Sequence, residues 1–109
     1  MVRARVLRFG PDTVLIVGGA RGPDREAERV GRVVGMDVRV FLPDWKRHGR
    51  SAGHRRNAAM LDELMRDGPG LRLVVAFWDM RSPGTGGTIR EARRRGINVE
   101  VWGSDGERI

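Results

Sequence analysis

Apolar runs alternate along the chain with apolar residues at helical spacing. A continuous β-branched run, typical of a strand covered on both faces, occurs at residues 13–17, and further predicted strands lie near residues 38–42, 71–77 and 97–101. Between them, apolar residues recur every three or four positions, as on the buried face of a helix. Alternating strands and helices favour a parallel sheet with right-handed crossovers. The pattern therefore predicts an α/β fold, a Rossmann-like three-layer sandwich with a mostly parallel sheet of four to five strands.

The length and composition predict one domain in the cytoplasm. The 109 residues fit a single domain, with a variable N-terminal segment at residues 1–11 and a polar tail at residues 103–109. The sequence contains neither an apolar run long enough to span a membrane nor the pattern of a signal peptide. It also contains no cysteine, which excludes disulfides, thiolate nucleophiles and zinc–thiolate sites.

The charge is strongly basic and consists almost entirely of arginine. The formal net charge is +7, and Lys46 is the only lysine among 21 basic residues. Arginine is the better bidentate partner for phosphate, which favours a nucleotide or a nucleic acid as partner. A GC-rich coding sequence would produce the same excess of arginine without any function. The charge alone supports only non-specific attraction to polyanions.

Three polar loops follow the predicted strands, at the edge of a parallel sheet where ligands usually bind. The first, GGARGPD, leads from a buried strand into a helix. Glycines allow a ligand to approach the backbone closely, and the N–H groups that begin a helix attract anions. The loop could also be a simple turn between strand and helix, with Arg21 in water. Its candidate ligand-binding residues are Gly18, Gly19, Arg21, Gly22 and Asp24.

The glycine-rich loop near residue 85 also precedes a predicted helix, which is expected from Thr88 to Arg95. Hydroxyl groups and a nest of backbone N–H groups would suit a phosphate there. Thr85 or Thr88 could instead only cap the helix. The candidate residues are Ser82, Gly84, Thr85, Gly86, Gly87 and Thr88. We expect the phosphate between this helix start and the GGARG loop, with Arg21 as the clamp.

The middle loop, residues 43–57, adds four candidate ligand-binding residues, Asp44, Trp45, Arg56 and Asn57. Trp45 could stack on a base or cover the core. Arg56 and Asn57 begin a helix and can face the strand ends. The two histidines of this loop are typical of solvated side chains and have no acidic partner at ligand spacing. The sequence therefore predicts neither a metal site nor a cofactor.

Three segments, GGARGPD, FLPDWKRHGRSAGHRRNAAMLD and VVAFWDMRSPGTGGTIREARRRGINVEV, together resemble the YspA-like branch of the SLOG superfamily. The likeness covers roughly residues 12–101, in order and at matching spacing. It implies a Rossmann-like fold that binds nucleotides, nucleotide sugars or related ligands. YspA-like proteins have one more strand–helix unit before the first glycine loop. Val2–Val6 could be a replacement strand or the remnant of the lost helix.

The superfamily also contains the Lonely Guy branch, which hydrolyses the N-glycosidic bond of nucleoside monophosphates. Residues 83–91 are similar to its PGGxGTxxE motif, with Thr85 in place of the second glycine. This likeness implies a catalytic role for Glu91 if the protein is a hydrolase. The Lonely Guy branch also uses an upstream arginine, for which Arg56 and Arg81 are unmatched candidates.

Three functions follow, in order of preference. The first is a binding module or sensor for a nucleotide-type small molecule. The second is a phosphoribohydrolase, and the third is an arginine-rich protein that binds nucleic acid weakly and without sequence preference. No membrane partner is expected. A missing strand–helix unit would leave a surface uncovered, so we also expect a homodimer. Its candidate contact is the helical face of Ala58, Leu61, Leu64 and Met65.

Overall fold

A computed structural model describes residues 2–19, 22–66 and 72–109. Its elements, in chain order, are α1 (Val2–Leu7), β1 (Val14–Val17), α2 (Pro23–Val33), β2 (Asp37–Val40), α3 (Trp45–His48), a 3₁₀ turn (Gly49–Ser51), α4 (Ala52–Arg66), β3 (Leu73–Phe77), α5 (Pro83–Arg94) and β4 (Asn98–Trp102). The chain forms two compact units, Met1–Met60 and Leu61–Ile109. The assignment of residues 1–109 to one domain stays a prediction.

The first unit is a parallel β–α–β unit with an additional N-terminal helix. β1 pairs with β2 in parallel, from Val14 opposite Asp37 to Val17 opposite Val40. The connecting helix α2 begins with Pro23 at its first position, and Gly35 follows its C-cap with a φ of 85°. Helix α1 packs against α2, and the core consists of Val6, Val17, Ala27, Val30 and Met36. Val2–Val6 is therefore helical, and its interpretation as a replacement strand is wrong.

The second unit repeats the β–α–β pattern. β3 pairs with β4 in parallel, from Leu73 opposite Asn98 to Phe77 opposite Trp102. Helix α5 packs on both strands, and its buried residues Ile89 and Ala92 belong to the core. The polar tail at residues 103–109 turns back along β4. Trp102 and Arg108 form an antiparallel bridge there, and the Ile109 N–H donates to the Val101 carbonyl at 2.8 Å.

The predicted Rossmann-like sandwich with a sheet of four to five strands is wrong. The described strands lie within a few residues of the predicted runs and pair in parallel, but they form two separate two-stranded sheets. The physical reason is that apolar periodicity specifies local pairing across one crossover helix. A single sheet would require a further ladder between the pairs, and no such ladder occurs among the described residues. The prediction of an α/β fold is confirmed, but the prediction of a three-layer sandwich is wrong.

None of the described helices is both long and apolar enough to cross a membrane.

Candidate functional site

The loop after β1 brings together four of the predicted site residues. The Gly18 N–H donates to Asp24 Oδ2 at 3.2 Å, and the Gly18 carbonyl accepts from Arg56 Nη1 at 2.5 Å. Asp24 lies in the first turn of α2, whereas Arg56 lies in α4, 38 residues beyond Gly18. Arg56 Nε also donates to Asn57 Oδ1 at 2.8 Å. We call Gly18, Asp24, Arg56 and Asn57 the Gly18 cluster.

The first two glycines of this loop leave space that neighbouring side chains fill. A Cβ at Gly18 would lie 2.6 Å from Arg56 Nη1 and 2.9 Å from Asp24 Oδ2, so it would displace the ends of these two side chains. Gly19 has a φ of +70°, and a Cβ there would lie 2.6 Å from Leu42 Cδ2. Side chains rarely adopt the φ of Gly19, which favours glycine at that position. The space beside the glycine backbone, which the sequence predicts for a ligand, is thus lined by the side chains of Asp24, Arg56 and Leu42.

The Arg56 guanidinium lies near one carboxylate, that of Asp24, since a Cβ on Gly18 would be 2.6 Å from Arg56 Nη1 and 2.9 Å from Asp24 Oδ2. Its hydrogen bonds go to a carbonyl and to a side-chain amide, both of which are uncharged. Within the described ranges it forms no ion pair, and its Nη2 atom makes no hydrogen bond. The Gly18 cluster therefore retains a half-buried guanidinium with donor capacity at the carboxyl end of β1. Arg21, the predicted clamp, lies outside the described residues.

Asp44 and Trp45 have roles in local structure. Asp44 Oδ1 accepts from the Arg47 N–H at 3.1 Å and so caps α3. The Trp45 side chain is 61% exposed, and its ring lies 3.7 Å from the position of a Cβ on Gly53. No hydrogen bond in the described part of the chain joins either residue to the Gly18 cluster. Trp45 therefore does not cover the core, contrary to one of its two predicted roles.

The second glycine-rich segment is helical. Helix α5 begins at Pro83, five residues before the predicted start at Thr88. Gly84, Gly86 and Gly87 therefore lie within its first turns, and none of them has a positive φ. Gly86 is buried, and a Cβ there would lie 3.0 Å from Trp78 Cζ2. Its small size thus serves the packing of Trp78 against the helix.

Two of the three predicted hydroxyl donors have partners within the chain. Ser82 Oγ donates to Asp79 Oδ2, and Thr88 Oγ1 donates to the Gly84 carbonyl, both at 3.0 Å. Ser82 makes no side-chain cap to α5. Thr85 is the one of the three whose hydroxyl makes no hydrogen bond within the described residues.

Sequence reasoning missed the role of Asp79, which organises the turn before α5. Its carboxylate accepts from the Ser82 N–H at 2.7 Å, the Arg81 N–H at 2.8 Å and the Ser82 hydroxyl. These hydrogen bonds, with that of the Ser82 N–H the largest contribution, lower the pKa of Asp79. Aspartate is common at the start of a turn, where its side chain accepts hydrogen bonds from backbone N–H groups a few residues later. This pattern is the sequence signal that could have identified Asp79.

Glu91, the catalytic residue implied by the Lonely Guy resemblance, is held in ion pairs. Its carboxylate accepts from Arg94 Nε at 2.8 Å and from Arg95 Nε at 3.1 Å. Hydrogen bonds from Arg94 and then Arg95 lower the pKa of Glu91 to about 2. At neutral pH the carboxyl is therefore ionised and has no proton to donate. No group of metal-binding side chains occurs in residues 2–19, 22–66 and 72–109.

The fold and the loops define a small α/β protein made of two parallel β–α–β units, with glycines after β1 in the first unit and in the first turns of α5 in the second. The chain is similar to the Gene 61 protein of Mycobacterium phage D29, with 40% identity over 95 residues. The matched region covers 83% of this chain and 71% of the phage protein. The chain belongs to the family of that Gene 61 protein. No family model matches the chain. No solved structure matches it significantly. The resemblance to the SLOG superfamily stays a prediction.

Proposed function

We propose that the protein binds a nucleotide or a nucleotide-derived ligand at the Gly18 cluster, as a sensor or ligand-binding module of the cytoplasm. One observation carries this proposal. Arg56, which is 38 residues away in sequence, contacts the glycine backbone at the carboxyl end of β1 without an ion-pair partner in the described chain. A cation at that end of a parallel strand suits an anionic ligand.

The polar groups of the cluster suit the two parts of a nucleotide. The guanidinium of Arg56 offers Nη2 to a phosphate oxygen, and Asn57 Oδ1 holds the same guanidinium through Nε. Asp24 Oδ2 accepts from the Gly18 N–H at 3.2 Å. An acidic residue near this end of a parallel strand is of the type that hydrogen-bonds ribose hydroxyls in dinucleotide sites.

The size of the ligand predicts which one binds better. Inorganic phosphate can make only the phosphate contacts of the Gly18 cluster. A nucleotide or nucleotide sugar adds contacts through its sugar and base. We therefore expect inorganic phosphate to bind more weakly than a nucleoside monophosphate or a nucleotide sugar.

The start of α5 is the second segment for which the sequence predicts a phosphate contact. Pro83 occupies the first helical position, and Ser82 leaves the helix without a side-chain cap. The Thr85 hydroxyl, together with the N–H groups of this first turn, suits a phosphate oxygen. The α5 start is therefore a separate candidate phosphate contact, which belongs to the second unit alone.

The hydrolase alternative gains no support from Glu91. Two arginines bind its carboxylate, and its pKa of about 2 leaves it without a proton at neutral pH. A general acid needs a pKa near the working pH. We therefore propose binding without hydrolysis.

Calorimetric titration of two neighbouring variants tests the proposal. Arg56→Gln removes the unpaired charge of the Gly18 cluster, whereas Arg55→Gln removes an exposed charge whose Nε contacts only Ser51 Oγ. A charge-assisted hydrogen bond contributes about 1.5–3 kcal/mol, so Arg56→Gln should weaken binding roughly 10- to 150-fold. Arg55→Gln should leave the affinity for AMP, ADP-ribose or UDP-glucose within about twofold of wild type.

Circular dichroism of both variants checks that each is folded before titration. Equal nucleotide affinity in wild type and folded Arg56→Gln would exclude the Gly18 cluster as the site. Release of a free base from a nucleoside monophosphate by the wild-type protein would contradict binding without hydrolysis.

A further inference from the structure

The segment Trp45–Ser51, made of α3 and the 3₁₀ turn, is basic and lacks acidic partners. Lys46, Arg47 and Arg50 are all exposed, and the described part of the chain gives none of them an ion pair. The sequence contains no aspartate or glutamate between Trp45 and Leu61. These three side chains therefore face solvent, and the adjoining carboxylate, that of Asp44, contacts the backbone of Arg47.

On the longer helices, by contrast, several arginines form ion pairs. Each of these arginines has a glutamate three or four residues before it. These pairs are Glu26–Arg29, Glu28–Arg32, Glu63–Arg66, Glu91–Arg94 and Glu91–Arg95. The segment Trp45–Ser51 has three cations within five residues and no such pair. An excess of arginine from codon usage alone does not explain why acidic residues are missing here.

Local hydrogen bonds hold the segment in a defined shape. Asp44 caps α3 through the Arg47 N–H, and the Ser51 hydroxyl donates to the His48 carbonyl at 2.9 Å. Helical rise places Lys46 and Arg50 within roughly 8 Å of each other along the axis. The cations are therefore presented close together on ordered backbone.

Trp45 adds an aromatic side chain to the same segment. It is 61% exposed, and its indole makes no hydrogen bond in the described chain. The other two tryptophans are half-buried, and their indole N–H groups donate to the Ser82 carbonyl and to Glu100 Oε1. Exposed aromatic rings beside clustered cations are the combination that binds single-stranded nucleic acids, because every unpaired base has a face on which a ring can stack.

We infer that the segment Trp45–Ser51 binds single-stranded nucleic acid without sequence preference. Lys46, Arg47 and Arg50 contact phosphates, and Trp45 stacks on an unpaired base. A duplex hides the faces of its bases and therefore binds more weakly. This inference does not depend on the proposed nucleotide site, because it uses none of the residues of the Gly18 cluster.

Fluorescence anisotropy of labelled dT12 and rU12 strands tests the inference, over a series of salt concentrations. The variant Lys46→Gln/Arg47→Gln/Arg50→Gln removes the three cations of the segment. A matched variant, Arg8→Gln/Arg25→Gln/Arg93→Gln, removes three exposed arginines that have no ion pair in the described chain. Both variants have the same net charge, so any difference between them reports the position of the charge.

Wild type should bind either strand with an affinity that falls steeply with salt. Each phosphate contact to a single strand contributes about 0.7 to the slope of log K against log salt, so the segment variant should lose about 2 from this slope. The matched variant should retain the wild-type slope and bind within about threefold of wild type. Equal losses in the two variants would overturn the inference, since binding would then follow net charge alone.

The contribution of Trp45 has its own readout. Trp45→Leu should weaken binding roughly 5- to 150-fold, the effect expected from the loss of one stacked base. Trp45→Phe keeps a ring and should retain most of the affinity. The quenching of Trp45 fluorescence that we expect when wild type binds a strand should be lost in this variant. Unchanged affinity of Trp45→Leu, equal binding of a 12-base-pair duplex, or equal competition by polyglutamate of matched charge would each overturn the inference.

Discussion

Gly18 follows β1, Gly86 lies in the first turns of α5, and each faces a different side chain. Gly18 makes room for Arg56 and Asp24, and Gly86 makes room for Trp78. The sequence predicts glycine at both positions for the close approach of a ligand, and in the structure side chains of the protein approach them. The sequence does not reveal what lies opposite each glycine, because that depends on side chains that folding brings from 6 to 38 residues away.

Arg56 and Asn57 could be assigned to the strand end from sequence because they stand near the start of a helix that follows a predicted strand. In the structure Arg56 donates to the Gly18 carbonyl, and Asn57 accepts from Arg56. The pairing of Glu91 with Arg94 and Arg95 was also visible as three- and four-residue spacing on a helix. The motif resemblance implies a catalytic role for Glu91, whereas its spacing from Arg94 and Arg95 indicates ion pairs.

Glu91 predicts a defined acid response. Its pKa in the folded protein is about 2, against 4.5 for the unperturbed group, so its ion pairs stabilise the fold fully above about pH 4.5. This stabilisation is lost as the pH falls through 2. The melting temperature of wild type should therefore fall more than that of Glu91→Gln between pH 5 and pH 2. Parallel pH profiles for the two proteins would show that the ion pairs contribute nothing to stability.

Helix α2 shows how an element is positioned by one small residue. Gly31 is buried, and a Cβ there would lie 2.7 Å from Leu15 Cδ2 and 3.1 Å from Val38 Cγ2. The helix can approach β1 and β2 only because this side chain is absent. The apolar spacing of Ala27 and Val30 predicts the buried face of the helix. It does not predict how closely the helix approaches, which is set by the strand side chains it meets.

Alanine at two helical glycines separates packing from helix propensity. Gly31→Ala should lower the free energy of unfolding by up to about 2 kcal/mol, because overpacking costs about 1–3 kcal/mol and alanine gains about 1 kcal/mol over glycine in a helix. Gly53 is the matched control, since a Cβ there would meet only Trp45, at an ordinary 3.7 Å. Gly53→Ala should raise the free energy of unfolding by up to about 1 kcal/mol. Urea titration measures both, and a stabilising Gly31→Ala would contradict the close packing.

At the scale of the whole molecule, the sequence predicts parallel strands but not how many of them form one sheet. The four predicted strands lie within a few residues of the observed ones, although most of their residues are only half-buried. The prediction of one sheet rests on the alternation of strands and helices and on the family resemblance. The described strands form two separate pairs. Each strand has only four or five residues, which limits the apolar area that a pair can cover.

The homodimer stays a prediction, and the structure changes its candidate surface. Leu61 is only 3% exposed and belongs to the core of the second unit, with Leu64 packed beside it, whereas Ala58 and Met65 are exposed. Half of the predicted face of α4 is therefore used internally. A shallow groove between α1 and α2 instead exposes apolar residues, with Leu7 47% and Val33 77% exposed. Apolar side chains exposed together favour association.

Charge at Val33 tests this surface. Val33→Asp should shift a dimer toward the 12.2 kDa monomer in light scattering at micromolar concentration. Leu42→Asp, which places the same charge at a side chain that is 71% exposed elsewhere in the first unit, should leave the mass unchanged. A wild-type protein that is monomeric at these concentrations would contradict the dimer.

Amide chemical shifts test most directly whether a nucleotide binds at the Gly18 cluster. Titration of ¹⁵N-labelled protein with AMP or ADP-ribose should shift the amide resonances of Gly18, Gly19 and Asp24, together with the side-chain Nε resonance of Arg56. Inorganic phosphate should need a higher concentration to produce the same shifts. Saturable shifts that leave these four resonances unchanged would place the ligand elsewhere and contradict the account.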